Sequence, residues 1–292
     1  MAQIETISKA EAVKQQSRQL RGHIARDLAD TATPFDKEGY SLLKFHGIYQ
    51  GYDRDSATEL KQRGESKTWQ FMVRVRIPGG RLTASQYLAL DALAGRYADG
   101  SLRITTRQSI QFHGVLKAGL RATIAKINAA LLTTLAACGD VVRTVTTVPA
   151  PIRDPVHRRL EADARRLSTH LLPRTRGYHE IWVEGAPWRE ETGAGEEPDA
   201  LYGERYLPRK FKAGLAIPED NTIDVLTNDL AIVALFDGDN LTGYNFPLGG
   251  GHGIDSQQPE DLPASRDLGG LHRAGGSPRS GRCGGAAASR SW

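Results

Sequence analysis

The chain has only two cysteines, Cys138 and Cys283, in 292 residues. Two thiols cannot make a disulfide framework, and they are too few for a cysteine-only cluster or structural zinc site within this chain. No run of about 18 apolar residues occurs, so no membrane helix is expected. The opening MAQIETISKAEAVKQQ lacks the apolar core of a secretory signal, and a reducing cytoplasm is the expected compartment. No H-x-x-x-H, C-x-x-C or G-x-S-x-G pattern is present. Pro78-Gly79-Gly80 is too little to read as a nucleotide loop. Net charge is only +4, and clustered exposed aromatics are missing, which places nucleic-acid binding last among the candidate functions.

What is present suits a soluble globular protein: 39% hydrophobic and 25% charged residues, in a length that fits one large or two medium domains. Residues 6–29 read as a solvated helical arm capped by Ser8, with Glu11 three residues on. Leu42 to Tyr49 reads as a short strand, with His46 a packed or capping residue rather than a ligand. WQFMVRVRIP (69–78) alternates strongly, with Phe71, Val73, Val75 and Ile77 on one face and Met72, Arg74 and Arg76 on the other. A helix capped by Thr83 or Ser85 follows. SLRITTRQSIQFHG (101–114) reads as one strand whose polar face carries Arg103, Thr105, Arg107, Gln111 and His113. Leu120 to Leu135 then falls at helical spacing. Strand–helix–strand–helix over 69–136 predicts an α+β unit with helices on one sheet face.

VVRTVTTV (141–148) predicts a strand containing Arg143, then a helix through Leu160 and Leu171, a strand Tyr178–Val183, and a strand in 206–218 with Lys210 and Lys212 on one face and Arg209 on the other. Residues 222–248 read as a meander, so 140–251 predicts a second α/β unit. The tail, 252–292, has no Lys, Val, Phe, Tyr or Met and no periodicity. Disorder is expected there, and Arg without Lys beside Gly, Ala and Ser suggests a reading-frame break near Gly251.

Four segments thus put cations on strand faces: Arg74/Arg76, Arg103/Arg107, Arg143 and Lys210/Lys212. Like charges gathered in one place need an anion. Composition and spacing leave that anion open among a polycarboxylate cofactor, an oxyanion substrate and nucleic-acid phosphate.

FHGIYQGYDRD (45–55), VRVRIPGG (73–80), LRITTRQSIQFHG (102–114), HLLPRTRGYHEIW (170–182) and YLPRKFK (206–212) together resemble the sulfite reductase hemoprotein (beta-component) family, the siroheme-containing nitrite/sulfite reductases. The resemblance covers roughly residues 15–251. It implies a ferredoxin-like half domain (61–138) after an N-terminal arm and loop (1–60), then the first part of a siroheme and 4Fe-4S domain (139–251), with a disordered tail. It implies siroheme and a 4Fe-4S cluster as cofactors, assimilatory six-electron reduction of sulfite to sulfide, and an NADPH-dependent flavoprotein or ferredoxin as electron donor. Arg76, Arg143, Lys210 and Lys212 resemble the cations around the bound oxyanion. Arg103, Thr105, Arg107, Gln111, His113 and Arg209 resemble the residues gripping siroheme carboxylates. Family members continue for about as long again and carry the cluster cysteines in C-x5-C and C-x3-C arrangements, which nothing here replaces. A truncated chain, inactive alone and marginally soluble, with Cys138 a buried free thiol and no metal ligands, is therefore expected. A non-catalytic tetrapyrrole or anion-binding module and a siroheme nitrite reductase fragment are the alternatives.

Overall fold

The computed structural model describes residues 7–187, 189 and 191–248, together with the backbone of 267–273. The first sheet is antiparallel in the order β1-β2-β4-β3, made of Ile48–Tyr52 (β1), Trp69–Val75 (β2), Arg103–Ile104 (β3) and Ile110–Val115 (β4). Alternation in β2 decides which face is buried: Phe71, Val73 and Val75 are sealed from solvent, while Met72 and Arg74 point the other way. Helices α5 (Ala84–Tyr97) and α6 (Lys117–Ala129) cover the buried face through Leu90, Leu93, Leu120, Ile124 and Ile127. The α5 start is fixed by a reciprocal capping box: Gln86 N–H donates to Thr83 Oγ1 at 3.2 Å, and Thr83 N–H donates to Gln86 Oε1 at 3.1 Å.

The N-terminal region differs from the expected arm. It is α1 (Lys9–Gln15) and α2 (Ile24–Asp27), separated by a turn in which Arg18, Gln19, Leu20 and Gly22 take positive φ. Leu20 and Ile24 are fully buried, so the segment belongs to the core. The strand expected at 42–49 is α3 (Lys37–Leu43), whose N-terminus Asp36 caps, followed by β1. The chain passes between them at Gly47, φ +80°, where a Cβ would sit 2.3 Å from Thr134 O and 2.9 Å from Arg74 O. Only glycine fits that approach. Helix α4 (Arg54–Gln62) follows β1, and Gly47 O accepts Arg74 N–H at 2.8 Å, which fixes the strand that carries Arg74.

The second sheet has the order β5-β6-β7-β8. Strands β5 (Ala213–Ala216) and β6 (Leu230–Asp237) are parallel; β7 (Asn240–Leu248) and β8 (Asp267–Arg273) continue antiparallel. The β6–β7 hairpin turns at Gly238, φ +55°. Helix α7 (Pro155–His170) packs on this sheet with Leu160 and Ala164 in a core shared with Val145, Leu215 and Ile232. The strand expected at 141–148 is not formed; the segment meets β5 and its approach through the isolated parallel bridges Val142↔Phe211 and Thr146↔Gly214. The strand expected at 178–183 is helical: α8 (Gly177–His179) continues as one π turn, Glu180–Glu184, burying Tyr178, Ile181 and Trp182. Of the tail expected to be disordered, Asp267–Arg273 pairs with β7; its other residues lie outside the described ones. Among the described residues no helix is long and apolar enough to cross a membrane.

Candidate functional site: a cationic cavity between the two sheets

SLRITTRQSIQFHG is not one strand but a hairpin. Arg103 pairs with Gln111 and Ile104 with Ile110, and the intervening residues turn. No glycine or proline makes this turn. Thr105 does, through its hydroxyl, which accepts Arg107 N–H at 3.3 Å and Ser109 N–H at 3.2 Å, while Thr105 O accepts Gln108 N–H at 3.0 Å. The parity of a continuous strand is therefore lost, and Arg107 sits at the tip, aimed at the second sheet.

There Arg107 donates from Nη1 to Asn228 Oδ1 (2.7 Å) and from Nη2 to Thr144 O (2.7 Å) and Ala213 O (3.1 Å). Its Nε is buried with no partner among the described residues. Gln108 adds a reciprocal pair with the backbone of Thr147, accepting its N–H at 3.1 Å and donating to its carbonyl. The hairpin tip thus ties the two sheets together and walls one side of an open cavity of about 430 Å³. Arg74, Thr105, Arg107, Arg143, Lys210 and Lys212 line it, with Asp224 the one lining carboxylate among the described residues. Arg143, nearly buried, donates from Nε and Nη2 to Ala137 O (3.2 and 3.1 Å). Burial, then the charge of Arg143, pushes the Arg107 guanidinium down to about 10, so it remains a cation at neutral pH. Burial also lowers Lys212, with Asp229 opposing the fall and Arg107, Lys210 and Arg209 adding to it.

Arg76 does not reach the cavity, contrary to the expectation placed on it. β2 ends at Val75, and Arg76 bridges to Thr133 instead. Its side chain, 2% exposed, donates to Ala136 O, Val142 O, Ser168 O and Ser168 Oγ at 2.8–3.2 Å. It cross-braces the interior, and burial lowers it to about 10. The residue that faces the cavity is Arg74, two positions earlier on the solvent-side parity of β2. That signal was present in the sequence as the first Arg of VRVR. Arg209 is also outside the cavity wall: 62% exposed, it pairs with Asp229 Oδ1 at 2.6 Å.

Arg103 and His113 border a neighbouring depression of about 1,020 Å³, with Tyr49, Tyr52 and Trp69. Arg103 pairs with Asp99 at 3.2 Å and lies 3.4 Å from His113 Nδ1. Burial, then Arg103, holds His113 below the ordinary imidazole range. The Gln111 amide joins the two depressions, meeting His113 Nε2 at 3.0 Å and accepting from the Arg74 guanidinium. Cys138 is buried and free of disulfides; its Sγ accepts from Arg74 Nη1 (3.1 Å) and Arg143 Nη2 (3.2 Å). Tyr49, in contact with that thiol, is raised to about 12 by burial first and Cys138 second. His46 is a packed core residue, as expected: Trp182 Nε1 donates to its Nδ1 at 2.7 Å, and its Nε2 meets Leu20 O at 2.9 Å.

Residues 63–130 match the nitrite/sulfite reductase ferredoxin-like half domain, and residues 162–268 match the nitrite and sulphite reductase 4Fe-4S domain. The second match runs past the Gly249–Gly251 run where a break was expected, and it contains no cysteine. The chain belongs to the nitrite/sulfite reductase family. More narrowly, it is 48% identical over 254 residues to a sulfite reductase [NADPH] hemoprotein beta-component of Xanthomonas campestris, covering 87% of this chain and 44% of that protein. It is 47% identical over 257 residues to the corresponding protein of Xylella fastidiosa, covering 88% and 45%. The chain thus spans under half the length of these relatives. The structure of the Mycobacterium tuberculosis NirA protein shares the fold, with a TM-score of 0.53 at 21% identity over 82% of this chain and 39% of that one.

Proposed function

We propose that this chain supplies the anion-binding side of a siroheme-dependent sulfite reductase site. The observation that carries the reading is one cavity lined by five cations and one carboxylate. Arg74, Arg143, Lys210 and Lys212 hold the sulfite dianion, whose charge offsets their mutual repulsion. Arg107, with its unpartnered buried Nε, and the Thr105 hydroxyl suit a macrocycle carboxylate, and Arg103, Gln111 and His113 suit further carboxylates along the adjoining depression. When bound, siroheme would pass to the sulfur the electrons that the external donor provides. The lysine ammoniums supply protons to the departing oxygens, each of which leaves as water. Lys212, lowered by burial, gives up its proton more readily than a free lysine. The names of the relatives favour an NADPH-dependent flavoprotein over ferredoxin as the donor, and sulfite over nitrite as substrate.

Sulfite calorimetry tests the reading. Saturable 1:1 binding at neutral pH, weakening as salt rises and as pH passes the lysine range, is expected. Heat indistinguishable from dilution would refute it.

The donor set does not fit the iron–sulfur cluster. A 4Fe-4S cluster takes about four thiolates. This chain has two cysteines, and Cys138 is enclosed by two guanidinium donors. Among the described residues no three His, Cys, Asp or Glu side chains gather. We therefore expect the 292-residue polypeptide, reconstituted with iron and sulfide, to retain no stoichiometric acid-labile sulfide and to show no methyl-viologen-driven turnover alone. Stoichiometric labile sulfide would contradict this. Binding without turnover is thus the reading for the isolated polypeptide.

A further inference from the structure

The lysines lie on a stretch that is not itself a strand. Lys212 precedes β5 (Ala213–Ala216), and what holds it comes from Asp229 and the first residue of β6. Asp229 Oδ2 accepts Lys212 N–H at 2.7 Å, and Leu230 N–H donates to Lys212 O at 3.0 Å. Both backbone polar groups of Lys212 are therefore fixed by two consecutive residues. Asp229 Oδ1 meanwhile accepts Arg209 Nη2 at 2.6 Å. One residue earlier, Asn228 accepts Arg107 Nη1 at 2.7 Å and donates from Nδ2 to Val225 O at 3.0 Å. Asn228 and Asp229 are both nearly inaccessible, 2% and 7% exposed.

We propose that Asn228-Asp229 is the positioning clamp of the cationic cavity, with Asp229 the charged member that sets Lys212 in place and keeps Arg209 turned away from the anion. The proposal rests on the anion reading of the cavity. Asn228 aligns a cation from the β3–β4 hairpin tip; Asp229 aligns a cation from the segment before β5. Neither Asn228 nor Asp229 was singled out in the sequence, because a lone Asn-Asp pair reads as a turn. A neutral acceptor would hold the Lys212 backbone equally well, so hydrogen bonding alone does not require an acid. What the carboxylate adds is countercharge. Lys212 faces Arg107, Lys210 and Arg209, with Arg74, Arg143 and Asp224 lining the same cavity. Asp229 opposes the first three, and pairing with Arg209 removes one of them from the cavity.

The test separates charge from structure. Lysines of the intact 292-residue protein are labelled by reductive ¹³C-methylation and titrated by NMR, with Lys212 assigned from its loss in Lys212→Met. Asp229→Asn keeps an acceptor for the Lys212 backbone and deletes the charge; the Lys212 midpoint should fall by about one pH unit. Arg209→Gln removes a repelling cation and frees the carboxylate; the midpoint should rise. The alkaline limb of sulfite affinity should follow in both directions. An unmoved Lys212 in folded Asp229→Asn overturns the proposal. If that variant does not fold, Arg209→Gln decides alone, and an unmoved or lowered midpoint there overturns it. A wild-type protein that ignores sulfite while Lys212 answers both substitutions refutes the anion reading and supports the clamp.

Discussion

Replacing Arg107 by methionine is expected to weaken siroheme binding at least tenfold and to destabilise the fold by roughly 3 kcal/mol. The substitution deletes three donated bonds, to Asn228 Oδ1, Thr144 O and Ala213 O. Hydrogen bonds from a charged donor are each worth about 1.5–3 kcal/mol, and buried acceptors left unpaired add a desolvation penalty. Relief of repulsion with Arg143 offsets part of that loss, because Arg143 is the largest electrostatic influence lowering Arg107. The bonds outweigh the repulsion, since three are lost while the relieved repulsion from Arg143 and Arg74 is partly balanced by the attraction to Asp229 that is lost with it. Arg107→Lys should not restore the wild type. A single ammonium cannot span an amide oxygen and two carbonyls that a planar guanidinium reaches together. Guanidinium chloride melts and siroheme titration on both variants give the two numbers. Wild-type stability in Arg107→Met would show that the hairpin tip does not join the sheets.

Acid should unfold the protein through His46. Burial lowers its pKa from 6.5 to about 4, and the bond to Leu20 O only partly opposes this. The folded value lies below the unfolded one, so between those limits the unfolded chain binds more protons. Stability therefore rises with pH from about 4 to 6.5 and is level above that. The full difference is on the order of 3 kcal/mol, present above pH 6.5 and lost as pH falls toward 4. The cause is geometric: Nδ1 must stay unprotonated to accept Trp182 Nε1–H, and protonation would set two donors face to face. Denaturant melts across this range should show the slope in the wild type. His46→Gln should be less stable at pH 7 and nearly flat through the window; an unchanged slope in that variant would assign it to another group.

What was legible in the sequence followed regular periods and caps. The β2 alternation gave the buried face, Thr83, weighed beside Ser85, gave the start of α5, and the spacing of Leu160 and Leu171 gave α7. The failures came where a residue broke its usual rule. Gln108 takes φ +52° without being glycine, so the turn inside 101–114 carried no signal, and parity was carried through it. Parity put Arg74 and Arg76 on one face, and the family resemblance chose Arg76; β2 ends at Val75, and Arg74 is the one that faces the cavity. Tyr178, Ile181 and Trp182 sit at helical spacing, yet their aromatic and β-branched character suggested a strand. Leu20 and Ile24 were too few apolar residues to mark a core segment, and the left-handed turn that folds them inward has no composition signature. The cationic character of the site was legible from four separated segments. Its partners Asn228 and Asp229 were not, because they act through single contacts made only once both sheets are assembled.

Siroheme titration followed in the visible spectrum tests the central claim most directly. The cavity reading predicts a saturable 1:1 spectral change with the wild-type polypeptide, strongly weakened in Arg107→Met and in Arg103→Gln. It also predicts no change in Arg76→Lys beyond what its lower stability causes, since Arg76 lies outside the cavity. Equal siroheme binding by wild type and Arg107→Met, or none by the folded wild type, would contradict it.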